Sequence, residues 1–253
     1  MDVKDLCAVV TGGASGLGTA TAEMLASRGA RVAIFDLNEE AGGALAERLG
    51  GSFHRVDVTS AESVDDGLAA AAERLGTPRI LVNCAGVAPG ARVIGKDGAP
   101  HSLDLFRKGV EINLIGTFNV ISRFAARLAA ANVEGEEAGV IINTASVAAF
   151  EGQIGQAAYA ASKSGVVGMT LPIARDLAQH RIRVMTIAPG IFLTPMLQGL
   201  PQATQDSLGT QVPHPSRLGK PAEYAELVKS IIDNPMLNGE VIRLDGAIRM
   251  GPR

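Results

Sequence analysis

The stretch from Leu6 to Asp36 leaves little choice of architecture. An apolar run, Leu6 to Val10, passes straight into Thr11-Gly12-Gly13-Ala14-Ser15-Gly16-Leu17-Gly18, and a stretch of helical pattern follows. Glycines in such a turn reach backbone angles closed to other residues and let the chain approach a bulky anion closely. They also let the helix that follows aim its unpaired N–H groups at that anion. A second short strand pattern then ends on Asp36, eighteen residues after Gly18. Strand, glycine turn, helix, strand and acid are the parts of a dinucleotide crevice. In that arrangement Gly12, Ser15, Gly16, Leu17 and Gly18 cradle a pyrophosphate. Asp36 accepts from the ribose hydroxyls and repels a 2′-phosphate, and Leu37 brings no positive charge, so NAD is expected in preference to NADP.

The rest of the chain repeats the alternation. Strand patterns fall near 6–11, 31–35, 52–56, 79–83, 139–144, 181–187 and 240–244, and helical patterns near 16–28, 39–49, 62–75, 103–130, 157–178 and 221–233. Strands that are continuously apolar, such as Val140-Ile141-Ile142, are covered on both faces, and alternation with helices implies right-handed crossovers. The expected fold is therefore α/β, a Rossmann-type doubly wound parallel sheet of about seven strands. No repeat or composition shift divides it, so residues 1–253 are read as one NAD-binding domain. Two features disturb the pattern. Pro172 lies inside the last long helix but one and should kink it or end its regular part early. Residues 192–219 read as a long irregular segment, a substrate lid with Met196, Leu197, Leu200 and Leu208 able either to cover an apolar ligand or to pack on the body.

Two further turns lie where open α/β sheets bind ligands, at the carboxyl ends of the strands. Asp57-Val58 follows the third strand and suits an adenine edge. Asn83-Cys84-Ala85-Gly86 follows the fourth, although plain turn chemistry uses the same residue types.

Composition removes several function classes. Charged residues are 19% of the chain and hydrophobic residues 47%, which speaks against disorder. The net charge of −3, with Lys and Arg scattered, gives no footprint for nucleic acid. The apolar runs are far shorter than the roughly 20 residues of a spanning helix, so no membrane role is expected. The strand begins almost directly after Met1-Asp2-Val3-Lys4-Asp5, with no targeting segment, and a cytoplasmic protein is the default. Cys7 and Cys84 would lie at opposite ends of a parallel sheet, too far apart to bridge. His54, His101, His180 and His214 form no metal-ligand spacing, and no metal is expected.

Chemistry enters with Tyr159-Ala160-Ala161-Ser162-Lys163. On a helix the i, i+4 spacing puts a phenol and an ammonium on one face. A fixed positive charge favours the phenolate and lowers its pKa toward the range of a general base. Ser146, thirteen residues upstream of Tyr159, is a hydroxyl donor in Asn143-Thr144-Ala145-Ser146.

Taken together, Thr11 to Gly18, Asn83 to Gly86, Asn113, Ser146, Tyr159, Lys163 and Pro189-Gly190 resemble the short-chain dehydrogenase/reductase family over essentially the whole chain. The runs Val140 to Gln153, Gly168 to Leu177 and Asn238 to Met250 look like its type 2 3-hydroxyacyl-CoA dehydrogenase group. Relatives there also oxidise 2-methyl-3-hydroxyacyl-CoA and 17β-hydroxysteroids. The resemblance implies NAD-dependent oxidation of a 3-hydroxyacyl-CoA in fatty-acid or branched-chain amino-acid breakdown. It casts Tyr159 as acid/base and Lys163 as the charge that lowers its pKa and holds the nicotinamide ribose. Ser146 would hydrogen-bond the substrate oxygen, Asn113 would anchor a water for proton relay, and Gln153 would line the substrate site with Ser146 and Tyr159. Asp57, Val58, Asn83, Ala85, Gly86 and Pro189 would line the cofactor crevice, with Ile191 and Thr194 on the carboxamide. Leu193 departs from the group, whose animal members carry glycine there. The loop Gly95 to His101 fits the group and would help meet CoA, with Lys96 as a candidate phosphate contact. Family analogy also implies a homotetramer in which the C-terminal tail reaches a neighbour. An NAD-dependent alcohol or hydroxysteroid dehydrogenase without CoA preference stays open, as does a nucleotide-binding scaffold protein that has lost its chemistry.

Overall fold

Seven strands form one parallel sheet in the order β3-β2-β1-β4-β5-β6-β7. The protein is represented by a computed structural model that describes residues 1–252, the side chain of Met196 excepted. The strands are β1 (Cys7–Thr11), β2 (Arg31–Asp36), β3 (Ser52–Arg55), β4 (Pro78–Asn83), β5 (Gly139–Thr144), β6 (Ile182–Pro189) and β7 (Val241–Leu244). Successive residues serve opposite faces. Val9, Phe35, Leu81, Ile141 and Val184 join one core, while Val10, Ile34, Val82, Ile142 and Ile187 join the other. Burial on both faces is why these strands read as unbroken apolar runs.

The helices are α1 (Gly16–Ser27), α2 (Glu39–Leu49), α3 (Ala61–Leu75), α4 (Leu103–Val110), α5 (Thr117–Ala130), α6 (Ala157–Leu177), α7 (Pro195–Gln198), α8 (Gln202–Gly209) and α9 (Pro221–Asp233). Leu25 of α1 and Tyr224 and Ile231 of α9 fill one core, and Leu68 of α3, Phe124 of α5 and Ile173 of α6 fill the other. β1 has β2 on one side and β4 on the other, so the strand order reverses there and leaves a crevice at the carboxyl ends.

Three readings change. The helical pattern over 103–130 is broken by a π-turn, Glu111–Gly116, between α4 and α5. Residues 192–219 are not irregular, since they contain α7 and α8 and are closed by a bridge between Phe192 and Gly219. Leu197 and Leu208 there are half-buried and Leu200 is exposed, while the side chain of Met196 lies outside the described residues. Pro172 does not end α6, which runs on to Leu177. Pro172 and Gly168, the residue whose carbonyl loses its partner, are both exposed, so water can satisfy that carbonyl while Val166, Thr170, Ile173 and Ala174 hold the buried face. Among the described residues no helix is long and apolar enough to cross a membrane.

Candidate active site

The glycine turn is shaped by what it must avoid. Gly12 has φ +62°, and a Cβ there would lie 2.7 Å from the backbone nitrogen of Ala85. The turns after β1 and β4 thus meet backbone to backbone across the switch point. A Cβ on Gly18 would lie 2.1 Å from the carbonyl oxygen of Gly12, so α1 can start close under the turn only with glycine there. The Ser15 side chain caps none of the first N–H groups of α1, which leaves that end suited to an anion. Thr194 comes from far along the chain to the same place, its Cγ2 3.4 Å from where a Cβ on Gly16 would be. Pro189 ends β6 and the carbonyl of Ile191 accepts from the N–H of Gly219, which fixes the start of the 192–219 segment.

Asp36 closes β2, where its carboxylate accepts from the backbone N–H groups of Ala14 and Asn38, both at 3.0 Å. Asp57 accepts from the N–H and hydroxyl of Thr59, and Val58 is buried against Gly116. Asn83 faces into the protein, not into the crevice. It is 3% exposed, accepts from Thr11 Oγ1 and donates to Asn143 Oδ1, and so ties the ends of β1, β4 and β5 together. Ala85 donates its N–H to Thr11 Oγ1, which draws the Ala85-Gly86 turn toward β1.

The residues with candidate chemistry come from the end of β5, from α6 and from the π-turn. Ser146 follows β5 and caps a short 3₁₀ turn, Val147–Ala149, its hydroxyl accepting from the N–H of Ala148 at 3.1 Å. Tyr159 and Lys163 stand one turn apart on α6, with the Tyr159 phenol near enough to the Ser146 hydroxyl to be influenced by it. Lys163 is buried and donates to the carbonyl of Thr144 at 2.8 Å. Asn113 is fully buried in the π-turn and acts as a clamp. Its Oδ1 accepts from the N–H of Val87 at 2.8 Å, and its Nδ2 donates to the carbonyl of Val87 and to Ser162 Oγ. A Cβ on Gly86 would come within 3.0 Å of Asn113 Oδ1 and 3.5 Å of Lys163 Nζ, so glycine lets the chain pass between them.

The electrostatics correct one expectation. Burial pushes the Tyr159 phenol above its ordinary value, with the nearby Ser146 hydroxyl working against it. Lys163 does not lower it as the spacing suggested, because its ammonium lies 6.0 Å from the phenol ring centroid and points to Thr144. Burial pulls Lys163 itself down to about 8. Gln153 also differs in its setting: its side-chain amide donates to the carbonyl of Gly251, so the C-terminal tail packs on this chain's own loop. Sequence reading gave no role to Thr144 or Ser162. Ser162 precedes Lys163 and Thr144 lies two residues before Ser146, so adjacency was the one available signal.

A family model described as short chain dehydrogenase matches residues 6–205. The chain is 57% identical to the human 3-hydroxyacyl-CoA dehydrogenase type-2, over 99% of this chain and 97% of that protein. It is 37% identical to an ipsdienol dehydrogenase of Ips pini, over 98% of each. A crystal structure of a 3-hydroxyacyl-CoA dehydrogenase type-2 from Mycobacterium avium matches with a TM-score of 0.94 and 43% identity, over 98% of this chain and 97% of that one.

Proposed function

Because the chain belongs to the short chain dehydrogenase family, we propose that it is an NAD-dependent oxidoreductase that interconverts 3-hydroxyacyl-CoA and 3-oxoacyl-CoA. The observation that carries the reading is the meeting of Ser146, Tyr159 and Lys163 beside the glycine turn, in a chain so similar throughout to relatives named for that substrate. The residues present fit a dinucleotide. Gly12 lets the turns after β1 and β4 meet backbone to backbone, Gly86 lets the chain pass between Asn113 and Lys163, the first N–H groups of α1 are uncapped, and Asp36 stands at the end of β2. When bound there, NAD⁺ would supply the acceptor for the hydride from carbon 3 of the substrate.

Ser146 holds the substrate oxygen through its hydroxyl. Tyr159 takes the hydroxyl proton in oxidation and returns it in reduction. Burial favours the neutral phenol and the Ser146 hydroxyl works against it, while Lys163, one turn along α6, holds the carbonyl of Thr144 two residues before Ser146. Asn113 keeps the β4 turn and α6 at a fixed separation through Val87 and Ser162. Val93, Ile94, Phe150 and Ile154 are exposed on loops joined by the hydrogen bond from Ala91 to Gly155, an apolar rim that suits an acyl chain. Exposed Ile115, Phe118 and Leu171, on the π-turn, α5 and α6, support assembly into a homotetramer, which light scattering would test.

Initial rates over a panel of 3-hydroxyacyl-CoA esters with NAD⁺ test the substrate, and a steroid or terpenoid alcohol run beside them tests the second reading. That reading, an alcohol dehydrogenase with no use for CoA, is favoured by the likeness to the ipsdienol dehydrogenase. Tyr159→Phe should lower kcat by roughly a hundredfold or more while NADH binding stays near normal. Retained turnover would remove Tyr159 from the chemistry.

A further inference from the structure

Three polar side chains that the chemistry above leaves unused meet behind the catalytic lysine. The hydroxyl oxygens of Thr144, at the end of β5, and Tyr224, in α9, are 2.7 Å apart. The Thr144 hydroxyl also reaches the Cys84 sulfur at 3.6 Å, and the Cys84 thiol reaches the Tyr224 oxygen at 3.8 Å. If Thr144 donates to Cys84, Cys84 to Tyr224 and Tyr224 to Thr144, each group donates once and accepts once. Tyr224 is fully buried, and burial pushes both its phenol and the Cys84 thiol upward, so the ring is neutral and keeps its protons.

The ring is joined to the reacting groups at two points. The peptide between Thr144 and Ala145 gives its N–H to the carbonyl of Ile187 at 2.8 Å and its carbonyl to Lys163 Nζ at 2.8 Å. Tyr224 holds the same residue on its third side, through the side chain. Cys84 in turn precedes Ala85 and Gly86, the turn that passes between Asn113 and Lys163. The ring therefore binds the ends of β4 and β5 to α9 where both strands meet the ammonium. At α9 the residue before Tyr224, Glu223, takes both guanidinium nitrogens of Arg217, which anchors the helix start to the end of the lid.

We propose that Tyr224 is a positioning residue for Lys163, acting through Thr144 on the carbonyl that holds the ammonium and through Cys84 on the turn beside it. The kinetic consequence rests on the dehydrogenase reading, whereas the placement of the lysine can be read without substrate. Tyr224→Phe and Thr144→Val each delete one hydroxyl with little change of shape, and Thr144→Ser keeps it.

The direct readout is the titration of the Lys163 side chain by ¹³C NMR in protein without cofactor, identified among the six lysines by Lys163→Arg. In the wild type the midpoint should lie at about 8. In Tyr224→Phe and Thr144→Val it should move by roughly half a pH unit or more, with kcat for acetoacetyl-CoA reduction down roughly five- to tenfold. The double variant should be no worse than the poorer single one, and Thr144→Ser should match the wild type within about twofold. An unmoved Lys163 midpoint in both variants, whatever happens to the melting temperature, overturns the proposal and leaves the ring a packing feature. If Tyr224→Phe does not fold, Thr144→Val against Thr144→Ser gives the same decision. A moved midpoint in a protein that turns over no acyl-CoA would uphold the positioning role and overturn the substrate reading instead.

Discussion

Asp36 holds the glycine turn with one carboxylate, which in the proposed NAD site would also face the ribose. Its two oxygens accept from Ala14 and Asn38, and a carboxylate has about four lone-pair sites, so ribose hydroxyls can be accepted without breaking either bond. On that reading the negative charge is what would oppose a 2′-phosphate, since like charges brought together in a crevice cost several kcal/mol. Asp36→Asn keeps the shape and one acceptor oxygen while removing the charge. The ratio of kcat/KM with NAD⁺ to that with NADP⁺ should fall roughly tenfold or more, about 1.4 kcal/mol. Both cofactors are measured on the same variant, so general loosening of the turn cancels, and an unchanged ratio would mean that shape selects the cofactor. Asp36 was legible in the sequence because its place follows from strand, turn and helix lengths. Asn83 was legible as a turn residue but not as a tie, because its partners Thr11 and Asn143 are set by strand register, which local sequence does not carry.

At the scale of elements, the strands and most helices follow from apolar periodicity and were readable to within a residue or two. The π-turn at Glu111–Gly116 was not. One extra residue per turn leaves the apolar pattern over 103–130 almost unchanged, yet it sets Asn113, whose carbonyl accepts from Thr117 Oγ1 at 2.7 Å, toward Val87 and Ser162. Pro172 was visible, but that α6 runs on past it was not, because sequence does not say which face of α6 meets water. Exposure makes the missing hydrogen bond tolerable without making it harmless. In a helix interior proline is about 3 kcal/mol less favourable than alanine, and part of that is already relieved by the exposed Gly168 carbonyl. Pro172→Ala should therefore stabilise the fold by roughly 1–2 kcal/mol, raising the melting temperature by about 2–4 °C for each kcal/mol. A lower melting temperature would show that the fixed φ of proline at this point supports the helix.

At the scale of the molecule, the end of the chain returns to the loop that follows Ser146. The pairing of Glu151 with Arg243 spans 92 residues, so nothing local announced it, and family analogy spoke only of a tail reaching a neighbour. Arg243 meets both Glu151 oxygens, at 2.7 and 2.9 Å, and Asp245 at 2.8 Å. Arg249 bridges Asp245 and Glu151, and the N–H of Met250 donates to Glu151 at 3.2 Å. Ile154 then donates its N–H to the carbonyl of Pro252. Glu151 is thus the post on which the tail is hung beside Gln153. The hydrogen bonds from Arg243, ahead of the backbone bond and the other charges, hold its carboxyl below the ordinary 4.5. A carboxyl whose folded pKa is depressed contributes fully above its unfolded value and loses that contribution as pH falls through the folded one. Glu151→Gln lacks the charge at every pH. The gap in melting temperature between wild type and variant should be constant from pH 8 down to about 5.5 and close below about 4.5, where the protonated acid and the amide present similar chemistry. Glu151 is only partly buried, so screening limits the gap to roughly 0.5–1 kcal/mol, and molar salt at neutral pH should narrow it further. Glu223, held at about 2 by Arg217, titrates alike in both proteins and drops out of the difference. A gap as wide at pH 3 as at pH 7 would mean that packing of the tail, and not the Glu151 charge, holds it against the loop.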